Sequence, residues 1–266
     1  FKKCQDCASL FCSPRPQEES LKNLYRSSKS ANFWSEVFFP AVAESRREKL
    51  FKKKAIEIRN YLQEKSFLPA SICDVGAGYG LFLEELKAIL PEADYYAIEP
   101  NQRSNNVCVE KGFKALAKTA EDACEWAGLF DLVISQEVLE HVFSPMQFVS
   151  SLFRLTKPGG FCLVTCLGYE GFDILFLQEN SNSVFPPHHL NFLSISGFET
   201  LFKRAGFSSV DIITPGELDV DIAINGNQDN EFLKTLSSRG EEAIRDFQTL
   251  LKKHKMSSHV WVFAQK

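Results

Sequence analysis

The stretch Ser71-Ile72-Cys73-Asp74-Val75-Gly76-Ala77-Gly78-Tyr79-Gly80 decides the fold. An apolar run ends in an aspartate, three glycines follow at alternate positions, and a helical pattern opens at Leu81. This order predicts a buried strand, a tight turn and the start of a helix. Glycine tolerates positive φ and carries no Cβ to hold a ligand off the backbone. The amide groups and positive dipole end of the following helix face the same spot. Together these features imply a nucleotide-like ligand resting over the turn.

Working outward, Pro69 precedes the first strand, and the helix from Leu81 to Leu90 stops at Pro91. Asp94-Tyr-Tyr-Ala-Ile-Glu99 reads as a second strand closed by Glu99. In nucleotide-binding α/β folds an acid about 20 residues past the glycines accepts hydrogen bonds from ribose hydroxyls. The alternative is a surface glutamate at a strand end. Asn101 can cap a helix running to Lys111, with Gly112 at its C′ position. A short third strand covers Lys114 to Ala117, and a fourth covers Leu129 to Ser135. Ser144 and Pro145 suit a helix start, and Lys157-Pro-Gly-Gly160 suits a turn into a fifth strand, Phe161 to Cys166.

The glycines fall as G-x-G-x-G, whereas the dinucleotide fingerprint is G-x-G-x-x-G. With Asp74 directly before them, they resemble motif I of the class I S-adenosylmethionine (SAM)-dependent methyltransferases. Phe130 to Val142 resembles the F-D-x-V…E-x-x-E-H-V segment of that superfamily, including its ubiquinone-biosynthesis-type enzymes. Leu155-Thr-Lys-Pro-Gly-Gly160 is similar to its L-x-P-G-G turn. The resemblance covers roughly residues 69 to 213. It implies an α/β fold: a three-layer, Rossmann-like, seven-stranded sheet whose last strand is antiparallel, with an N-terminal extension and a C-terminal helical insertion. It implies SAM as the cofactor, bound by Asp74, Gly76, Ala77, Gly78, Tyr79, Gly80, Glu99 and Pro100. It sets Ala120 and Glu121 against the adenine, although Thr119 to Asp122 also reads as a capped short helix. Ser135, Gln136 and Glu137 would line the cleft near the methionine part, and Glu140-His141 reads instead as a structural pair orienting the next helix.

Gly168 to Asn191 is a long connection of the kind that carries function. It ends in Phe185-Pro-Pro-His188-His189-Leu-Asn191. His188, His189 and Glu137 are the candidate catalytic bases, needed if the acceptor is a hydroxyl or carbon acid. A capping or packing role for the histidines is the alternative, and two adjacent histidines alone are weak support for a metal. Ser196-Gly-Phe-Glu199 reads as a capping box for a helix ending at Ala205, with a sixth strand over Phe207 to Ile213. Asp219 and Asp221 read as solvated loop acids, with substrate contacts as the alternative. Asp229 to Lys255 is helical with a break at Gly240, and His259 to Ala264 is a β-prone final strand.

At the other end, Cys4-Gln-Asp-Cys7 can form one knuckle of a zinc site, which needs four ligands. Cys4 through Pro16 resembles the second knuckle of the zinc-ribbon segment preceding some bacterial SAM methyltransferases that modify sugars or glycans. A metal-free terminus is the alternative. The domain expectation is therefore an N-terminal extension over 1–42 and a methyltransferase domain over 43–266, with an insertion at about 214–257. Leu21 to Tyr25 and Asn32-Phe33-Trp34 either cover the cofactor or pack, and a helix is expected from Glu44 to Lys65.

The chain has 266 residues, 24 of them Phe, enough for a substantial core, and its net charge of −4 implies no basic face for nucleic acid. No long uncharged apolar stretch marks a membrane span. Eight scattered cysteines, several in strands, suit reduced thiols in the cytoplasm. The expected activity is methyl transfer to a small-molecule acceptor, with a sugar or glycan-intermediate hydroxyl as one option. An NAD-dependent oxidoreductase and a non-catalytic SAM-binding module are the rivals. Oligomeric state is not specified by the sequence.

Overall fold

The computed structural model describes residues 1–27 and 39–266. Asn32-Phe33-Trp34 lies outside the described residues. The strands are β1 (Lys2–Lys3), β2 (Leu10–Phe11), β3 (Ser71–Val75), β4 (Asp94–Ile98), β5 (Lys114–Leu116), β6 (Phe130–Gln136), β7 (Thr156–Leu167), β8 (Asn191–Phe192), β9 (Ser209–Ile213) and β10 (His259–Gln265). Seven of them form a sheet of order β5-β4-β3-β6-β7-β10-β9, and β1-β2-β8 form a second, three-stranded sheet. β3 pairs in parallel with both β4 and β6, and β4 with β5. β10 lies between β7 and β9 and runs antiparallel, as expected for this sheet. The described chain divides into two compact units, Pro16–Gln136 with Gln147–Leu163 and Gln265–Lys266, and Phe1–Arg15 with Glu137–Met146 and Val164–Ala264.

In the first unit the parallel strands have two buried faces, so they read as continuous apolar runs. Every residue of β3 is buried, and so are Leu132, Val133 and Ile134 of β6. Ile58 and Leu62 of helix Lys52–Glu64, and Phe82, Leu83 and Leu86 of helix Leu81–Ile89, add to that core. Apolar residues recurring at helical spacing account for both helices. The expected single helix over Glu44 to Lys65 is interrupted: Phe39–Arg46 is α-helical, Arg47–Phe51 makes a π turn, and Lys52–Glu64 resumes the α-helix. The expected turn at Lys157–Gly160 is instead the opening of β7. Gly159 N–H donates to Lys266 O at 2.9 Å and Lys266 N–H to Gly160 O at 3.0 Å, so pairing with the chain's end draws these residues into the strand.

In the second unit β1 and β2 make a hairpin, and Leu10 and Phe11 pair antiparallel with Phe192 and Asn191 of β8. Helix Ile195–Ala205 is capped by Ser194, not Ser196. The Ser194 hydroxyl accepts the Gly197 N–H at 2.9 Å, while the Ser196 hydroxyl donates to Cys7 O at 3.2 Å. Asp219 is no solvated loop acid. It is 2% exposed at the start of helix Asp219–Gly226 and accepts from Gln248 Nε2, Ser257 Oγ and Ser258 N, each at 2.6 Å. Helices Glu231–Ser238 and Glu241–Lys253 flank the expected break at Gly240.

Two glycines separate crowding from conformation. A Cβ on Gly171 would lie 2.3 Å from the Cα and Cβ of Ser258, whereas one on Gly112, at φ +82°, meets nothing within 4 Å. Gly171→Ala should destabilise the protein by about 3 kcal/mol through overpacking. Gly112→Ala should cost about 1 kcal/mol through the left-handed backbone alone. Urea denaturation of both variants reads the difference.

Candidate functional site

The glycine turn is built as the sequence predicts. Gly76, Gly78 and Gly80 sit at φ +81°, +53° and +68°. The amides of Gly76 and Ala77 donate to Ile98 O at 2.8 and 3.3 Å, which ties the turn to the end of β4. Gly80 has a packing reason as well as a conformational one: a Cβ there would meet the Phe113 ring at 3.0 Å and Cys108 Sγ at 3.2 Å. Gly78 is different. Its Cβ position is open, with nothing within 4 Å, the property a backbone needs where a ligand approaches.

Glu99 sits at this turn. Its Oε2 accepts the Gly78 N–H at 2.9 Å and its Oε1 accepts the Asn101 N–H at 2.8 Å. One carboxylate thus bridges the glycine turn and the start of helix Gln102–Glu110, whose Asn101 cap accepts from Ser104 N at 3.0 Å. A carboxylate has about four lone-pair sites, so two stay available for further donors. Burial pushes the Glu99 carboxyl up in pKa, opposed by the amides of Asn101 and Gly78. Asp74 is buried at the end of β3, and its Oδ1 accepts no hydrogen bond. Burial first and the Glu99 charge second raise it to about 7, with Lys54 opposing. A buried acid with an unsatisfied oxygen is a place prepared for a donor or a cation.

The other expected cofactor residues divide. Ala120 is buried, and the carbonyls of Ala120 and Glu121 both accept from Arg154 Nη2, at 3.0 and 2.9 Å. Thr119 bonds Asp122, but the first helical turn after it is a 3₁₀ turn at Cys124–Trp126. Ser135 is wholly buried and its hydroxyl donates to Val75 O at 2.9 Å, so it braces β3 against β6. Gln136, the last residue of β6, has a buried Oε1 with no partner.

Glu137 opens the second unit's share of the candidates. It adopts φ +52°, rare for a residue with a side chain and costing about 1 kcal/mol. Thr165 holds it there. Glu137 N–H donates to Thr165 O at 2.7 Å, and Thr165 Oγ1 donates back to Glu137 Oε1 at 2.9 Å. His259 Nδ1 lies 3.8 Å from the same oxygen. Neither Thr165 nor His259 stood out in the sequence, because each reaches Glu137 only through strand pairing.

His141 and His189 have rings 4.7 Å apart. His141 Nδ1 lies 2.8 Å from His188 O, and His189 Nδ1 lies 2.5 Å from Ser183 O. A carbonyl only accepts, so Nδ1 carries the proton in each ring and Nε2 is the basic nitrogen. Burial lowers both: His141 falls to about 4, helped by His189, and His189 falls through burial despite its bond to Ser183 O. His188 instead stacks its ring on Phe185 at 5.4 Å. Glu140, His141 and His189 bring three ligand atoms within 4.8 Å of one another, a set that could hold a cation. Among the described residues no such set includes Cys4 or Cys7. The Cys4 thiol is lowered by the Cys7 and Asp6 amides and by the Cys7 side chain, but Cys12 Sγ turns to Pro14 O. Two thiolates are half a tetrahedral zinc set, so the described residues do not complete one there.

With this geometry in view, the comparisons are specific. Residues 44–212 match the family described as "Methyltransferase domain". The chain belongs to that family. Among curated proteins it is similar to the ubiquinone biosynthesis O-methyltransferase of Psychrobacter arcticus, 30% identical over 142 residues, 51% of each chain. It is likewise similar to the mitochondrial one of Mus musculus, 29% identical over 151 residues, 52% of this chain and 41% of that one. The chain spans about half the length of these relatives. Among solved structures it shares the fold of a SAM-dependent methyltransferase from Archaeoglobus fulgidus (TM-score 0.57, 16% identity, 87% of this chain and 100% of that one). It also shares the fold of the plantazolicin methyltransferase BpumL in complex with S-adenosylhomocysteine (SAH) (TM-score 0.59, 16% identity, 94% of this chain and 95% of that one). The domain match covers the turn, Glu99 and the Phe130–Val142 segment, while the zinc-like knuckle lies before it. No helix among the described residues is long and apolar enough to cross a membrane.

The raised Asp74 pKa has a measurable consequence. An acid whose folded pKa lies above its ordinary 3.8 binds a proton in the folded state that the unfolded chain has lost. Its contribution is full below pH 3.8 and is lost as pH rises through about 7. Stability should therefore fall between these limits, by at most about 4 kcal/mol from this group. Asp74→Asn should flatten that fall, leaving the smaller slope from Glu99, in denaturant titrations run from pH 4 to pH 8.

Proposed function

We propose that this chain is a SAM-dependent methyltransferase acting on a hydroxyl of a small-molecule acceptor, with a sugar or glycan intermediate as one such acceptor. The observation that carries the reading is the turn: left-handed glycines, an open Gly78, and an acid from the next strand bonded to the Gly78 amide. The orphaned Asp74 Oδ1 fits a polar ligand there. The O-methyltransferase names of the curated relatives support oxygen as the acceptor atom. SAM, when bound, supplies a methyl group on a sulfonium. The remaining work falls to the chain's own residues. Asp74, Gly76, Ala77, Gly78, Tyr79, Gly80, Glu99 and Pro100 hold the cofactor, the free lone pairs of Glu99 taking the ribose hydroxyls. Ala120 and Glu121 face the adenine. Gln136 turns its unsatisfied amide oxygen to the methionine part, while Ser135 acts through Val75. A hydroxyl acceptor gives up its proton, and His189, neutral with a basic Nε2, is the base this reading favours over His188 and Glu137.

Calorimetry with SAH tests the cofactor half. Wild type should bind SAH and not NAD, and Glu99→Ala should weaken SAH at least 30-fold. NAD binding without SAH binding would move the chain to the oxidoreductases. SAH release screened over hydroxylated acceptors, sugar nucleotides included, tests the other half. His189→Ala should lower kcat about 100-fold with KM within threefold. SAH binding with no turnover of any acceptor would leave a binding module. Zinc enters this reading only as a proposal, at Cys4 and Cys7 with two further donors. Purified protein with bound zinc that Cys4→Ser removes supports it, and zinc-free protein of unchanged activity ends it.

A further inference from the structure

Residues 119–123 leave β5 without regular structure. Asp122 N–H donates to Thr119 O at 3.2 Å, Ala123 N–H to Ala120 O at 3.4 Å, and Thr119 Oγ1 to Asp122 Oδ2 at 3.1 Å. A guanidinium stands against this loop. Arg154, in the last turn of helix Pro145–Leu155, spans the carbonyls of Ala120 and Glu121 with one guanidinium nitrogen, at 3.0 and 2.9 Å. The same nitrogen lies 3.4 Å from Ser151 Oγ. Charge-assisted bonds of this kind are roughly twice as strong as neutral ones, and a planar guanidinium fixes direction as well as distance. The arginine's backbone is tied down too. Gly128 N–H donates to Arg154 O at 2.7 Å and Leu129 N–H to Leu155 O at 3.1 Å, joining this helix end to the entry of β6.

The consequence follows from peptide planarity. In a trans peptide the C=O and the next N–H point in opposite directions. With the Ala120 carbonyl turned toward Arg154, the Glu121 N–H points away from it. The guanidinium thus sets which backbone donor and which acidic side chain the loop offers on its other side. We propose that Arg154 is a positioning residue for purine recognition: by holding the Ala120 and Glu121 carbonyls it orients the loop to accept a 6-aminopurine and reject a 6-oxopurine. A 6-oxo ring reverses the pattern, with an acceptor where the amino group was and a donor at N1. This rests on the reading of Ala120 and Glu121 as the adenine contacts.

Calorimetry with SAH and with S-inosylhomocysteine, its 6-oxo counterpart, tests the proposal. Wild type should prefer SAH at least 50-fold. Arg154→Gln should cut that preference to under fivefold, chiefly by weakening SAH, with the 6-oxo ligand changing less than threefold. Arg154→Lys, a charged donor without the planar guanidinium, should fall between, and it serves if the glutamine variant does not fold. Equal weakening of both ligands would make Arg154 merely structural and overturn the proposal, as would an unchanged preference. Wild type that binds SAH without discriminating overturns it while leaving the cofactor reading intact. Wild type that does not bind SAH overturns the cofactor reading and this with it.

Discussion

The arrangement hangs on a single carboxylate bridging two backbone amides. Glu99 takes the N–H of Gly78 with one oxygen and the N–H of Asn101 with the other. Those amides belong to two different strand-to-helix transitions, so the acid fastens the ends of β3 and β4 at one height. The parallel register of the two strands, with Val75 opposite Ile98, delivers Glu99 to that place. Without that register the glycines would make an ordinary turn. With it, a left-handed backbone, an open Cα and an anionic group share one corner.

That corner also carries an electrostatic tension. Burial raises the cost of ionising both Asp74 and Glu99, and the Glu99 charge raises it further for Asp74. Glu99 is compensated by two amides, and the Asp74 side chain has one oxygen with no bond at all. A fold selected only for stability would put an apolar residue at such a position. Retention of the acid makes sense where a polar ligand completes its bonding.

Much of this was legible in the chain, for physical reasons. Parallel strands buried on both faces write themselves as apolar runs, and left-handed turns demand glycine, so β3, its turn and β4 could be read directly. The Phe130–Val142 segment was legible as a pattern, yet its geometry was not. Ser135 looked like a cleft residue and is spent bracing Val75. Asp219 looked solvated and is buried among Gln248, Ser257 and Ser258. Ser194 and Ser196 offer the same hydroxyl two positions apart, and both reach Cys7 O, but it is the Ser194 hydroxyl that takes the Gly197 N–H. Arg154, Thr165 and His259 escaped notice because their partners lie far off in sequence. Local propensity registers what a residue does to its neighbours along the chain, and these act across it.

The N-terminal hairpin deserves to be counted as part of the second unit's frame. β2 lends its edge to Asn191 and Phe192, the Ser9 hydroxyl accepts the Ser194 N–H at 3.0 Å, and Arg15 donates to Phe143 O and to Asn191 Oδ1. Asn191 in turn donates to the carbonyls of Leu139 and Val142, at 3.3 and 2.8 Å. The first fifteen residues therefore scaffold, at second hand, the turn that carries Glu140 and His141. A minimal version trimmed to the boundaries of the methyltransferase match would begin after them, and would take away the outer wall on which that turn leans.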